Sequence, residues 1–205
     1  MTVAGFRFPN GIASESTIPS NNLRELTIAD GEGRSVGDKA FQYCGSMNKL
    51  SLTSMKIEEI HENSFLGLGS LRILDLSHNN LTFVPDDASQ WLGSINEINL
   101  SFNKFYNSTK MGMMVSQFAQ LVKMTLAVNN LPDVPDVSPC NYLEIIDLSY
   151  NAFEKLQGID TAGNFISPLR GLDRLIELDL SNNKIQWVDG NFFRSVQTPF
   201  FKTYI

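Results

Sequence analysis

Asp75, Ser77 and His78 bring an acid, a hydroxyl and an imidazole within four residues of one another, which are the parts of a hydrolytic triad. The acid and hydroxyl recur at Asp147/Ser149 and at Asp179/Ser181 with no histidine beside them. A pair copied along the chain, with a base in one copy only, reads as a repeated pattern and not as a catalytic site, so no enzyme activity and no catalytic residue are expected. The segment GEGRSVG from Gly31 has the outline of a phosphate-cradling loop, but Val36 stands where the third glycine of G-x-G-x-x-G belongs, which argues against a nucleotide. His61 and His78 are the two histidines, out of phase with each other, so no zinc or other metal site and no cofactor are expected. Two cysteines, Cys44 and Cys140, are too few for a disulfide scaffold.

Candidate residues of this kind need a scaffold, and composition bounds it. A chain of 205 residues that is 42% hydrophobic and 19% charged can bury a sizeable core. With 16 Lys and Arg against 22 Asp and Glu, a net charge of -6 and a pI near 4.9, nucleic acid is not the expected partner, because scattered cations give no phosphate-neutralising footprint. The N-terminal MTVAGFRFPNGIAS has no apolar stretch of signal-peptide length, and no window approaches the ~18 apolar residues of a membrane span.

The pairs Asp75/Ser77 and Asp147/Ser149 belong to a longer pattern. L-x-x-L-x-L-x-x-N-x-L fits LRILDLSHNNL from Leu71, INEINLSFNKF from Ile95, LVKMTLAVNNL from Leu121, LEIIDLSYNAF from Leu143 and LIELDLSNNKI from Leu175. Two weaker copies precede them, LRELTIADGEG from Leu23 with Gly31 at the asparagine position, and MNKLSLTSMKI from Met47 with Met55 there. Positions 4 and 6 flank a polar position 5, as in a strand with one buried face. No unit can bury its own apolar row, so the units must stack, one strand each, into a parallel sheet with a continuous core. Asn79, Asn103, Asn129, Asn151 and Asn183 fall where each strand turns away, and an amide that donates and accepts satisfies the backbone groups freed there.

The second half of each unit, as in IEEIHENSFLGLGSL from Ile57, resembles the typical 24-residue leucine-rich repeat of Toll-like receptor ectodomains, small leucine-rich proteoglycans and related cell-surface proteins. The resemblance covers about residues 23 to 198. It implies an α/β repeat solenoid, a horseshoe with a parallel β-sheet on the concave face and irregular or short helical turns on the convex face. The domain reading is a degenerate N-terminal repeat over 1–22, repeats over 23–198 starting at 23, 47, 71, 95, 121, 143 and 175, and the start of a truncated further repeat over 199–205. The longer unit between Leu143 and Leu175 carries an insertion around 158–168, and in several Toll-like receptors such longer units contribute to ligand contact. Extracellular members usually close their ends with disulfide-bearing caps. Neither end here has a cysteine cluster, which suggests a piece of a longer receptor whose signal and anchor lie elsewhere.

Both cysteines lie three residues before a template start, in the phase of Leu68, Leu92, Phe118 and Leu172, a core phase. Four units of ~4.8 Å separate them by roughly 19 Å, beyond the ~7 Å Cα limit for a bridge, so two buried, unbridged thiols are expected.

Outward positions 2, 3, 5, 7 and 8 form the concave surface. Position 8 reads Asp30, Ser54, His78, Phe102, Val128, Tyr150 and Asn182, which sets His78, Phe102, Val128 and Tyr150 side by side, with Ile73, Val122, Ile145 and Ile176 nearby. His78, Phe102, Val128, Tyr150, Ile73 and Ile145 are therefore the candidate ligand-binding residues, an exposed apolar patch of the kind that marks a protein contact. The alternative is that single exposed apolar residues are ordinary. N-x-[ST] sequons make Asn80, Asn99 and Asn107 candidate glycosylation sites. The expected function is recognition of a protein or another extracellular ligand, on the concave face or the 158–168 insertion, as part of a cell-surface pattern-recognition-type receptor. The localisation is then extracellular or cell-surface within a longer parent, or cytoplasmic if the chain is complete. The runner-up is an intracellular adaptor or regulatory scaffold on the same repeat.

Overall fold

The computed structural model describes residues 1–5, 7–8, 11–12, 22–158, 166–196, 198–199 and 201–205. Phe6, which falls within the degenerate first repeat, and residues 159–165 of the insertion lie outside the described residues. In chain order the elements are β1 (Thr2–Ala4), β2 (Glu25–Ala29), β3 (Ser35–Val36), β4 (Lys49–Thr53), β5 (Glu59–Ile60), β6 (Ile73–Asp75), α1 (Asp86–Ser89) and a 3-10 turn at Gln90–Leu92. They continue with β7 (Glu97–Asn99), α2 (Ser108–Val115), β8 (Lys123–Thr125), β9 (Ile145–Asp147), β10 (Lys155–Leu156), β11 (Glu177–Asp179), β12 (Trp187–Val188) and β13 (Lys202–Tyr204).

One strand per turn enters a nine-stranded parallel sheet ordered β1-β2-β4-β6-β7-β8-β9-β11-β13. Its register aligns Leu26, Leu50, Leu74, Ile98, Met124, Ile146 and Leu178, which all occupy position 4 of the template. β1 and β13 add a strand at each edge, pairing Val3 with Ile28 and Thr203 with Leu178. The opposite wall carries the short pairs β3/β5 and β10/β12 and the helical turns. The chain is thus the parallel-sheet solenoid with a largely irregular convex side that the repeat pattern predicts. Positions 4 and 6 are buried in every unit, joined by Phe105 and Phe153 at position 11 and by Phe41, Phe65 and Phe118 from the second half of their units. This single core is continuous from Ile12 to Phe192.

Asn79, Asn103, Asn129 and Asn151 are buried, Asn183 is half-buried, and all five act between units. Asn103 accepts the Leu81 N–H at 3.0 Å and donates to the Leu76 carbonyl of the preceding unit at 3.0 Å, and to Leu100 and Ser101 of its own unit at 3.0 and 3.2 Å. Asn79, Asn129, Asn151 and Asn183 repeat the arrangement. α2 forms because Asn107 caps it, its Oδ1 accepting the Lys110 N–H at 2.9 Å, and because Met111, Met114 and Val115 face the core. The insertion leaves the sheet undisturbed. Its base is closed where the Ile166 N–H donates to the Gly158 carbonyl at 2.9 Å, and a Cβ at Gly158 would overlap the Ile166 backbone, so a glycine is required there. Among the described residues no helix is long and apolar enough to cross a membrane.

Cys44 and Cys140 are fully buried and neither is bridged. Burial and the nearby Asp136 carboxylate push the Cys140 thiol up to about 12, burial raises Cys44 as well, and the Cys140 Sγ donates to the Val115 carbonyl at 3.2 Å. Since the thiolate is the reactive form, native protein at neutral pH is expected to react slowly with a thiol reagent and to titrate two thiols once denatured. A 44–140 crosslink found by mass spectrometry would contradict the register.

Candidate functional site: the rim of the concave sheet

The strands β6, β7, β8, β9 and β11 end at position 5, whereas β2 and β4 run on to position 7, and the ladder continues past position 5 in the later units as well. The N–H groups of His78, Phe102, Val128 and Tyr150 donate to Ser101, Ala127, Ser149 and Ser181 of the following unit, at 2.9 to 3.0 Å. The four residues therefore occupy adjacent rows, at the point where the chain leaves the sheet. All four, with Asp30, Ser54 and Asn182, have φ between 53° and 58°, the left-handed region that most side chains avoid. This pivot turns the chain out of the strand and sets the position-8 side chains along a rim.

On that rim the His78 and Phe102 rings stack with centroids 4.1 Å apart and planes 12° from parallel. Phe102 is 46% and Tyr150 55% exposed, and Val128 between them is half-buried. Ile73 and Ile145 are half-buried at position 3, on β6 and β9, with Glu97 and Lys123 between them in register. The structure thus brings His78 and Phe102 together and sets Val128 and Tyr150 in the next two rows, while the two isoleucines stand apart across a charged pair. Val128 is the position least suited to its backbone, because a β-branched residue is an outlier at positive φ. Val128→Asn, a residue that tolerates this region, is expected to stabilise the fold by about 1 kcal/mol and raise the melting temperature by about 2–4 °C. Calorimetry checks it; no change would mean that the rim side chain's packing offsets the backbone cost.

The other chemical candidates are engaged elsewhere. Asp75 Oδ1 accepts the Ser77 N–H at 2.9 Å, and Asp147 and Asp179 do the same for Ser149 and Ser181, so the acid–hydroxyl pair is a side-chain-capped turn at the strand exit. In GEGRSVG, the N–H groups of Gly31, Gly33 and Gly37 donate to Ser54, Met55 and Ile12, and Val36 is buried in β3, which leaves no cradle of free amides. His61 lies beyond β5 with its Nε2 3.9 Å from Glu59, and among the described residues no group of three potential metal ligands assembles. Asn99 lies on β7 between Asp75 and Thr125, its Oδ1 accepting the Ser101 N–H at 3.1 Å. Asn80 and Asn107 are half-buried outside the sheet.

Two features have no fixed place in the repeat template. Arg7 and Lys56 both pair with Glu32, at 2.6 and 2.8 Å, tying three successive turns at the surface. Hydrogen bonds from Lys56 and then Arg7 lower the Glu32 carboxyl from 4.5 to about 2. A depressed carboxylate stabilises fully above its ordinary range and loses that contribution as pH falls towards 2; the solvent around this partly exposed cluster screens it and keeps it small. The second feature is a set of exposed apolar side chains around α2, Phe83, Tyr106 and Met113.

One strand per turn, a buried apolar ladder, a buried asparagine ladder and a side-chain-bearing inner rim define a solenoid built to present a surface. The chain belongs to the leucine-rich repeat family: models described as leucine rich repeat match residues 21–81, 46–105 and 174–196, together more than half of it. Leucine-rich repeat domains are typically protein-binding modules. Solved structures with the same fold include a TLR13–ssRNA13 complex (TM-score 0.73, 23% identity, 92% of this chain and 25% of that one). The Toll–Spatzle complex of Drosophila aligns with TM-score 0.72 and 21% identity over 85% of this chain and 22% of that one. Human 5T4, the trophoblast glycoprotein, aligns with TM-score 0.70 and 22% identity over 90% and 69%. At these identities the likeness is one of fold, and this chain spans about a quarter of the length of TLR13. No curated protein sequence matches it.

Proposed function

We propose that this chain is a ligand-recognition module of a cell-surface, pattern-recognition-type receptor, and that a protein partner docks on the rim formed by His78, Phe102, Val128 and Tyr150. The observation that carries the reading is the stacked His78–Phe102 pair with the exposed Tyr150 two rows on, all held on a rigid ladder. Aromatic groups held by a rigid scaffold bury large area at little ordering cost, which is how interface anchors behave. The receptor complexes sharing the fold support this context, one with a protein, Spatzle, and one with an RNA. The net charge of -6 favours a protein over a nucleic acid here. An intracellular scaffold is the second reading, favoured by the two unbridged cysteines. The test is a binding screen against secreted and cell-surface proteins using the wild-type chain beside its Phe102→Asp and Tyr150→Asp variants. A partner that distinguishes wild type from both variants supports the rim; one bound equally by all three removes it.

A further inference from the structure

We infer that Asn107 carries an N-linked glycan whose first sugars lie on the exposed aromatic side chains of Phe83 and Tyr106. The inference rests on the extracellular part of the proposed function.

Three observations converge. Asn107-Ser108-Thr109 is a sequon at the N-terminus of α2, and the Asn107 Oδ1 is held by the Lys110 N–H at 2.9 Å, which fixes the amide plane and keeps Nδ2 as the atom available for attachment. Asn107 lines one shallow cleft together with Thr82, Phe83 and Lys110. Phe83 is 47% and Tyr106, the residue immediately before Asn107, 62% exposed, and the Lys110 ammonium stands 5.4 Å from the Phe83 ring centre. Outside the inner rim this leaves the partly exposed Phe83 ring in the same cleft as the attachment point, and the exposed Tyr106 beside it in sequence. A sugar ring matches it: its axial C–H faces pack on aromatic rings while its hydroxyl edges stay in water, so the same group covers the patch and keeps it soluble.

The remaining sequons fit less well. Asn99 is on the sheet, and the hydroxyl of its partner Ser101 is buried at 4% exposure. Thr82 of the Asn80 sequon is half-buried, whereas Thr109 is exposed. In the attachment step the Asn107 Nδ2 loses a proton and bonds to the anomeric carbon of a lipid-linked diphosphate oligosaccharide. The anomeric C–O bond breaks and the lipid diphosphate leaves with its electron pair, so nothing is oxidised or reduced.

The test is to secrete the chain from animal cells behind an added leader and to read the three sequons by glycopeptide mass spectrometry. Asn107 is expected to be occupied. Enzymatic removal of the glycan under native conditions should then lower the melting temperature by about 2–4 °C in the wild type and leave a Phe83→Ser/Tyr106→Ser variant unchanged. Independently of stability, the N-acetyl methyl protons of the first sugar should be shifted upfield by ring current in the wild type and return to their free value in the Phe83→Ser/Tyr106→Ser variant. An empty Asn107 overturns the inference, as does an equal effect of deglycosylation on both proteins or an unshifted methyl signal. Occupied Asn80 or Asn99 beside an empty Asn107 would leave the extracellular reading standing, and the rim itself is judged separately by the Phe102 and Tyr150 variants.

Discussion

Asn103→Ala is expected to lower the free energy of unfolding by about 3–5 kcal/mol, because it orphans several buried backbone groups at ~1–3 kcal/mol each. The amide accepts from Leu81 and donates to Leu76, Leu100 and Ser101, so its loss strips partners from two successive units at once. Partial relaxation and entering water keep the total below the simple sum. Asn103→Asp should be nearly as damaging, since it keeps the acceptor but loses the donor and buries a charge. Lys104→Ala, one residue on and exposed, should stay within about 0.5 kcal/mol. Urea denaturation at unchanged slope is the measurement. A loss under about 1 kcal/mol for Asn103→Ala would show that the ladder is replaceable by solvent.

Phe102→Asp and Tyr150→Asp should each weaken binding of the docked protein by about 2 kcal/mol, roughly thirtyfold in Kd. Truncating an exposed anchor removes its buried area, and a carboxylate left in a desolvated contact adds its own cost. The fold should tolerate both changes, because positions 102 and 150 have φ of 55° and 54° and aspartate enters that region more readily than an aromatic residue does. Unaltered circular dichroism and melting with reduced titration-calorimetry affinity is the expected pair of results. Equal affinity in both variants would remove the rim as the docking site, and a glycan found on Asn99 would direct attention to the 158–168 insertion instead.

The sheet was legible in the sequence because leucines at fixed offsets have one stacking solution. Leu74 and Leu76 around Asp75 state a strand and its buried face, and copies at Ile98/Leu100 and Ile146/Leu148 state the register. Asn79 to Asn183 state the turn. The rim was legible as a column of side chains but not as a conformation, since nothing in the identities of Phe102 or Val128 announces a positive φ; the geometry is imposed by the turn between ladder and core. The convex side was legible least. Phe83 and Tyr106 look like the core residues Phe65 and Phe105, and without a template phase only the folded chain shows that the first two face outward. The Glu32 triad was hidden for a related reason, as Arg7 precedes the region where the template repeats.

The sheet keeps its register whether the next strand comes 22 residues later, from Met124 to Ile146, or 32, from Ile146 to Leu178. Strand pairing and connection length are therefore independent variables. Doubling a flexible loop costs only ~0.6 kcal/mol in closure entropy, less than one buried side chain contributes. With Gly158 and Ile166 pinching the base of the longest connection, the scaffold has a socket in which segments can be exchanged without renegotiating the core. In evolutionary terms, novelty can be sampled on the outer wall while the inner wall keeps its alignment, so a lineage could change what this molecule meets without changing how it folds.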